Sequence, residues 1–244
     1  SSSALGTYLS KNYIKAPNTI YENLFKMEAG TFIVIDNFLN ISKVKYWEAS
    51  NYIYQSDENI KSTSVLEYEI KDLLNVSVQQ RMNADVPVGV LLSGGIDSSL
   101  ITSIAQNTSK KKIKTFTAGF ENILFDESVY AKEIAKYLGT DHQTIILDKK
   151  IIEEIIMKLP DVYDEPFADS SQIPTILLCR MTRRDVVVSL SGDGGDELFG
   201  GYPRYEWAVR LWSLIGRIPA SVRRSSAFSL DLLPSWFPAR IVSM

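Results

Sequence analysis

From Val86 to Leu190, short apolar runs alternate with amphipathic stretches, and this alternation limits the fold more than any other feature of the 244-residue chain. Val86 to Leu92, Ile113 to Ala118, Gln143 to Leu147 and Val186 to Leu190 read as strands. Between them, Asp97 to Gln106, Glu127 to Leu138 (ended by Gly139), Lys149 to Leu159 and Ser171 to Met181 repeat at helical spacing. Strands that are apolar throughout rather than alternating are covered on both faces. Strand–helix–strand connections are right-handed and set successive strands parallel. The expected fold is therefore α/β, a doubly wound parallel sheet.

The first part of the chain reads differently. Ala4 to Ile14 has a helical pattern, and Pro17-Asn18-Thr19 carries entry signals for a second short helix. Thr31 to Asp36 and Ser42 to Trp47 are β-rich and joined by the polar Asn37 to Asn40, which predicts a hairpin. Asn51 to Ser62 is loop-like, and Ser62 to about Arg81 is a long amphipathic helix.

Composition removes several functional classes. A net charge of -3 gives no basic surface for nucleic acid or anionic membrane. No apolar run is long enough to span a bilayer, and no secretion signal is evident, which points to the cytoplasm. The single cysteine, Cys179, excludes an internal disulfide and a cysteine metal cluster. It is expected as a small core residue. The single histidine, His142, is expected in packing or at the surface and makes most zinc sites and a Ser-His-Asp triad poor fits.

Two turns carry the chemistry. In the first, Val88 to Leu92 runs into Ser93-Gly94-Gly95-Ile96-Asp97-Ser98-Ser99 and then a helix. Glycines admit a ligand close to the backbone, and the helix start presents free N–H groups and the positive end of its dipole. With the serine hydroxyls this is an anion cradle. No lysine follows the glycines, so it is not a Walker loop, and the Rossmann spacing is absent. Asp97 either caps the helix or faces a cation, since a carboxylate beside polyphosphate needs one; Mg²⁺ takes one or two carboxylates plus phosphate oxygens. In the second turn, Val186 to Leu190 leads into Ser191-Gly192-Asp193-Gly194-Gly195-Asp196-Glu197-Leu198-Phe199-Gly200-Gly201-Tyr202. Its clustered carboxylates should have raised pKa values unless a cation or amine lies among them; a purely structural acidic turn is the alternative.

The Ser93–Ser99 turn resembles the pyrophosphate loop of the ATP-pyrophosphatase (PP-loop) superfamily, of adenine nucleotide alpha-hydrolase-like fold. The second turn, with Asp161 to Ser171 (DVYDEPFADSS) upstream, resembles the synthetase domain of the glutamine-hydrolysing asparagine synthetase family. Pro17 to Trp47 resembles that family's connection from its glutaminase domain, so residues 1–60 are expected to be linker and hairpin and 61–244 the ATP-binding synthetase domain, incomplete at its C-terminus. The glutaminase domain is expected before residue 1 and a lysine-bearing segment after Met244, so this stretch alone should bind nucleotide weakly and not turn over.

The resemblance implies ATP and Mg²⁺ as cofactors. It assigns ATP to Leu92, Ser93, Gly94, Gly95, Asp97, Ser98, Ala118, Ser191 and Gly192, and Mg²⁺ to Asp97 and Asp196. Ala118 is expected where its strand ends, at the sheet's carboxyl edge. Asp193 falls where well-known family members carry a glutamate that helps form an acyl-adenylate; it is the expected catalytic carboxylate. The implied reaction is amidation of a small-molecule carboxylate, aspartate first, through acyl-AMP with ammonia from glutamine, in a possible homodimer. Alternatives are a sugar-acid, peptide or β-lactam-precursor acceptor, or a nucleotide-binding module without turnover. Several acidic residues have two readings. Asp126 and Glu127 suit the first turn of a helix, and Asp164, Glu165 and Asp169 suit substrate recognition or helix capping. Tyr202, Arg204 and Tyr205 are candidates to line the cleft.

Overall fold

The computed structural model describes residues 1–52, 62–120 and 126–223. Its centre is a four-stranded, wholly parallel sheet of order β5-β4-β3-β6, formed by β3 (Val88–Leu91), β4 (Lys114–Phe120), β5 (Asp141–Leu147) and β6 (Val188–Leu190). Helices α2 (Thr63–Met82), α3 (Ile96–Thr108) and α4 (Ser128–Leu138) pack on one face; α5 (Lys149–Val162) and α6 (Gln172–Thr182) cover the other. This is the doubly wound architecture that the alternating pattern predicts. After β5 the chain returns to the far side of β3 as β6, so the winding reverses there. Open parallel sheets bind ligands at such a reversal, beyond the carboxyl ends of the strands.

The core follows strand parity. Val90 packs with Val78 of α2 and Ile104 and Ala105 of α3. On the opposite face Phe116 is 0% exposed, and Ala118 and Phe120 continue its side into a cluster of Ile145, Leu147, Ile155, Ile176 and Leu177. Phe116 has room because Gly89 of β3 carries no side chain: a Cβ there would lie 2.8 Å from Phe116 Cε2. Gly89 also stands in register between Lys114 and Ser189. Across it Lys114 Nζ donates to Asp185, just before β6, while Gln143 Nε2 donates to the other Asp185 oxygen at 3.2 Å.

This cross-strand pair gives a pH prediction. The Lys114 ammonium, then Gln143, holds the Asp185 carboxyl below the usual range, and Asp185 raises the Lys114 pKa. A carboxyl with a depressed folded pKa contributes stability above its unfolded pKa and loses it as pH falls through the folded value. Asp185→Asn should lower the thermal midpoint by a few degrees at neutral pH. The gap from wild type should close in acid, below the ordinary carboxylate range, as measured by thermal melts at stepped pH.

Before the sheet domain come α1 (Ser2–Lys11), ended by Asn12 at φ 66, and an antiparallel hairpin of β1 (Thr31–Ile35) and β2 (Ile41–Lys45). The helix expected at Pro17-Asn18-Thr19 does not form. There the backbone is bonded elsewhere: Lys26 N donates to Pro17 O at 2.8 Å, the Thr19 hydroxyl donates to Leu24 O at 2.7 Å, and Ile20 N donates to Glu165 Oε2 at 3.1 Å. Local side-chain bonding of this kind competes with helix. The expected Asn51–Ser62 loop lies mostly outside the described residues. Cys179 is exposed rather than in the core, because α6 buries Ile176 and Leu177 on its other side. His142 lies half-buried on β5, with Nδ1 2.9 Å from Thr115 Oγ1 and Nε2 3.3 Å from Thr144 Oγ1; burial lowers its pKa. Among the described residues no helix is long and apolar enough to cross a membrane.

Candidate functional site

Because β3 and β6 are neighbours and parallel, the two glycine-rich turns leave the sheet side by side at its carboxyl edge. The first turn is built by its own serines. Ser93 N donates to Ser98 Oγ at 3.2 Å, the Ser93 and Ser98 hydroxyls are 3.0 Å apart, and Ser99 Oγ donates to Gly95 O at 2.6 Å. The hydroxyls expected to face a ligand are thus engaged in shaping the loop. The first helical bond of this turn is Ser99 N to Gly95 O, which leaves the amides of Ile96, Asp97 and Ser98 as the helix's unpaired donors. Gly95 occupies the N-cap with no side-chain cap. Asp97 therefore does not cap α3. Its carboxylate makes no hydrogen bond or ion pair with a described residue.

Gly94 is bound to its place twice over. Its φ is +91°, and a Cβ there would lie 2.9 Å from Tyr130 Cβ and 3.0 Å from the Ala131 amide of α4. Gly94→Ala should cost about 1–3 kcal/mol from overpacking alone, with strain at positive φ in addition. Chemical denaturation should show it as a lower midpoint at unchanged slope.

The second turn closes on the first. A Cβ at Gly192 would lie 2.7 Å from Ser98 N, and one at Gly195 would lie 2.5 Å from Asp97 Cγ and 2.6 Å from Asp97 Oδ2. Bare backbone at both positions lets Asp97 sit against the loop that carries Asp196. Gly194, at φ 91, opens the short helix α7 (Gly195–Phe199), and Gly200, at φ 70, ends it. The Asp196 carboxylate folds over Gly201, where any Cβ would overlap it. Asp193 accepts from Ser191 Oγ at 3.0 Å, so part of its carboxylate holds the turn. Leu92 is buried, its amide bonded to Phe116 O at 2.8 Å. Ala118 does not end its strand, which runs on to Phe120. Leu91 is level with Phe116, so Ala118 is level with Ser93.

The rise expected from crowding does not hold at Glu197. Tyr202 Oη donates to Glu197 Oε1 at 2.6 Å, which holds the Glu197 carboxyl below its ordinary value and pushes the Tyr202 hydroxyl up to about 12. The Arg204 guanidinium lies 4.5 Å from the Tyr202 ring centre. Helix α8 (Pro203–Ile215) starts one residue after Tyr202; residues 224–244 lie outside the described residues.

The acidic loop before α6 is largely structural. Glu165 accepts from Ile20 N and pairs with Lys26. Asp169 Oδ1 accepts from Ser171 N and Ser171 Oγ, each at 2.8 Å. Tyr21 Oη donates to Asp164 O at 3.2 Å, and Ala168 N to Asn12 O at 3.0 Å. The loop is a dock for residues 12–26, a pairing across more than a hundred positions that no local pattern announces.

The Asparagine synthase family model matches residues 69–241, a span that contains both turns and the sheet joining them. The chain belongs to the asparagine synthase family. A putative glutamine-hydrolyzing asparagine synthetase 2 of Methanocaldococcus jannaschii is 39% identical over 224 residues, covering 90% of this chain and 42% of that protein. The glutamine-hydrolyzing asparagine synthetase 1 of Bacillus subtilis is 35% identical over 234 residues, 95% of this chain and 35% of that protein. A putative glutamine-hydrolyzing asparagine synthetase of Mycobacterium tuberculosis is 33% identical over 225 residues, 91% of this chain and 34% of that protein. The chain thus spans well under half the length of these asparagine synthase relatives.

Among the described residues no group of three or more His, Cys, Asp and Glu is placed to hold a metal by itself. Asp97 and Asp196 offer two carboxylates on apposed loops. That donor set suits Mg²⁺, which completes its shell with phosphate oxygens and water.

Proposed function

We propose that this chain is the synthetase part of an enzyme that uses ATP to convert a carboxylate into an amide. The observation that carries this reading is the apposition of the two turns, with Asp97 lying on Gly195 beside Asp196. ATP is bound across them. The Ile96, Asp97 and Ser98 amides face its phosphates, and Leu92, Ala118, Ser191 and Gly192 hold its nucleoside largely through backbone. Asp97 and Asp196 would hold Mg²⁺, which would supply positive charge to offset that of the leaving pyrophosphate. The acceptor is aspartate, by its relatives' names. An acceptor carboxylate oxygen attacks the α-phosphorus, breaking the α–β phosphoanhydride and giving acyl-AMP and pyrophosphate. Ammonia then attacks the acyl carbon, and AMP leaves with the oxygen that formed the bond. Asp193 orients the reacting carboxylate. Most of the acceleration is positioning and electrostatics. Ammonia comes from glutamine hydrolysed in another domain of the whole protein.

A second reading concerns the acceptor. Asp193 is tethered by Ser191, and the resemblance places a longer glutamate at this position in well-known members, so a carboxylate other than aspartate's is the alternative. ATP–pyrophosphate exchange by the whole protein, run with aspartate and a panel of sugar-acid and peptide carboxylates, tests both readings. Exchange that depends on aspartate supports the first; exchange with another acid alone supports the second. No exchange with any carboxylate removes the adenylation reading.

A further inference from the structure

The first turn of α4 touches both the first glycine-rich turn and the end of β4. Tyr130 and Ala131 lie against Gly94, as above. On the sheet side, a Cβ at Gly119 would lie 2.9 Å from Asp126 Oδ1 and 2.9 Å from Ser128 Oγ. Asp126 Oδ1 accepts from Ser128 N at 3.0 Å and from Phe120 N at 3.4 Å. One carboxylate oxygen thus joins the last residue of β4 to the first of α4. The Ser128 hydroxyl is fully buried beside it without reaching hydrogen-bond geometry. Its proximity, with the Ser128 amide, holds the Asp126 carboxyl below its usual range. The bare Gly119 backbone is what admits both side chains.

We infer that Asp126 is a positioning residue: it hangs α4 from the end of β4, and through Tyr130 and Ala131 it fixes the first turn relative to Ala118. The role rests on the nucleotide reading above only for its catalytic consequence; the mechanical link stands on the hydrogen bonds and the Gly94 contact. Asp126 touches neither Asp97 nor Gly192 or Gly195 of the second turn in the contacts described, so it acts through α4. Since Oδ1 alone accepts both amides, geometry and charge are separable: asparagine keeps that oxygen and loses the charge, and alanine loses both.

The test uses the whole protein with Asp126→Ala and Asp126→Asn. Hydrogen exchange without nucleotide should show the Ser93, Gly95 and Ser99 amides, which are hydrogen-bonded within the turn, exchanging about tenfold faster in Asp126→Ala. ATP–pyrophosphate exchange should show kcat/KM for ATP down at least about tenfold, from a misplaced loop. Asp126→Asn should stay near wild type on both. The inference is overturned if Asp126→Ala leaves the Ser93, Gly95 and Ser99 amides as protected as in wild type, or if Asp126→Asn loses as much as Asp126→Ala, which would make the charge the essential feature. A wild-type protein without ATP turnover would refute the nucleotide reading, and amide exchange would then decide the mechanical link alone.

Discussion

Asp97→Ala, in the whole protein, should lower carboxylate-dependent ATP–pyrophosphate exchange by about two to three orders of magnitude, the usual effect of removing one electrostatic contact to a charged transition state. Stability should barely change. Asp97 does not cap α3 and makes no hydrogen bond or ion pair with a described residue. What is lost in the fold is one negative charge in the first helical turn, worth about 0.3–1 kcal/mol. A structural role predicts the reverse pattern, a large drop in thermal midpoint with activity following it. Paired melts and exchange assays on one preparation separate the two. Asp97→Asn is the sharper variant, because it keeps shape and removes only the charge that a cation would need.

The second large effect is expected at Gly195. A methyl there meets Asp97 Cγ at 2.5 Å and its two oxygens at 2.6 and 2.9 Å, well inside van der Waals contact. Gly195→Ala must push the carboxylate or the second turn aside. Overpacking of this kind costs about 1–3 kcal/mol, and displacing a cation-binding carboxylate by an ångström costs about a hundredfold in rate. Gly194 provides the control. It has φ +91° but nothing within 4 Å of an added Cβ, so Gly194→Ala carries conformational strain without the collision and should spare activity more. The collision also makes a coupling prediction: the stability cost of Gly195→Ala should shrink in the Asp97→Ala background, because the atoms it strikes are gone. Contacting residues couple in this way, and distant ones add. Full additivity in the double variant would mean that the two turns are not in contact in solution.

The parts of the molecule that could be read from sequence are those set by local rules. Periodicity gave the four parallel strands and their helices within a few residues, and Gly139, at φ 72, ends α4 as its place in the pattern suggests. The hairpin between Thr31 and Lys45 was marked by its polar joint. The two glycine-rich turns were also visible, since glycines, serines and carboxylates in one register are a local signature. Their apposition follows from no local rule, because it depends on β6 returning beside β3 rather than beyond β5; it was implied only by the resemblance. The capping reading of Asp97 is removed by Gly95 taking the N-cap of α3. Tertiary pairing overrode local signals elsewhere. Thr19 and Glu165 take up the hydrogen bonds a helix at Pro17-Asn18-Thr19 would need, and the Tyr202 hydroxyl relieves Glu197 of the crowding its neighbours suggest. Cys179 faces outward because the sheet claims the other side of α6.

The central claim is that a carboxylate oxygen attacks the α-phosphorus of ATP held between the two turns. Turnover of the whole protein with ATP, an ammonia source and aspartate carrying oxygen-18 in its side-chain carboxylate tests it most directly. The predicted result is oxygen-18 in AMP, one label per amide formed, with unlabelled pyrophosphate. Oxygen-18 in inorganic phosphate, with ADP as the nucleotide product, would contradict it, because attack would then have fallen on the γ-phosphorus.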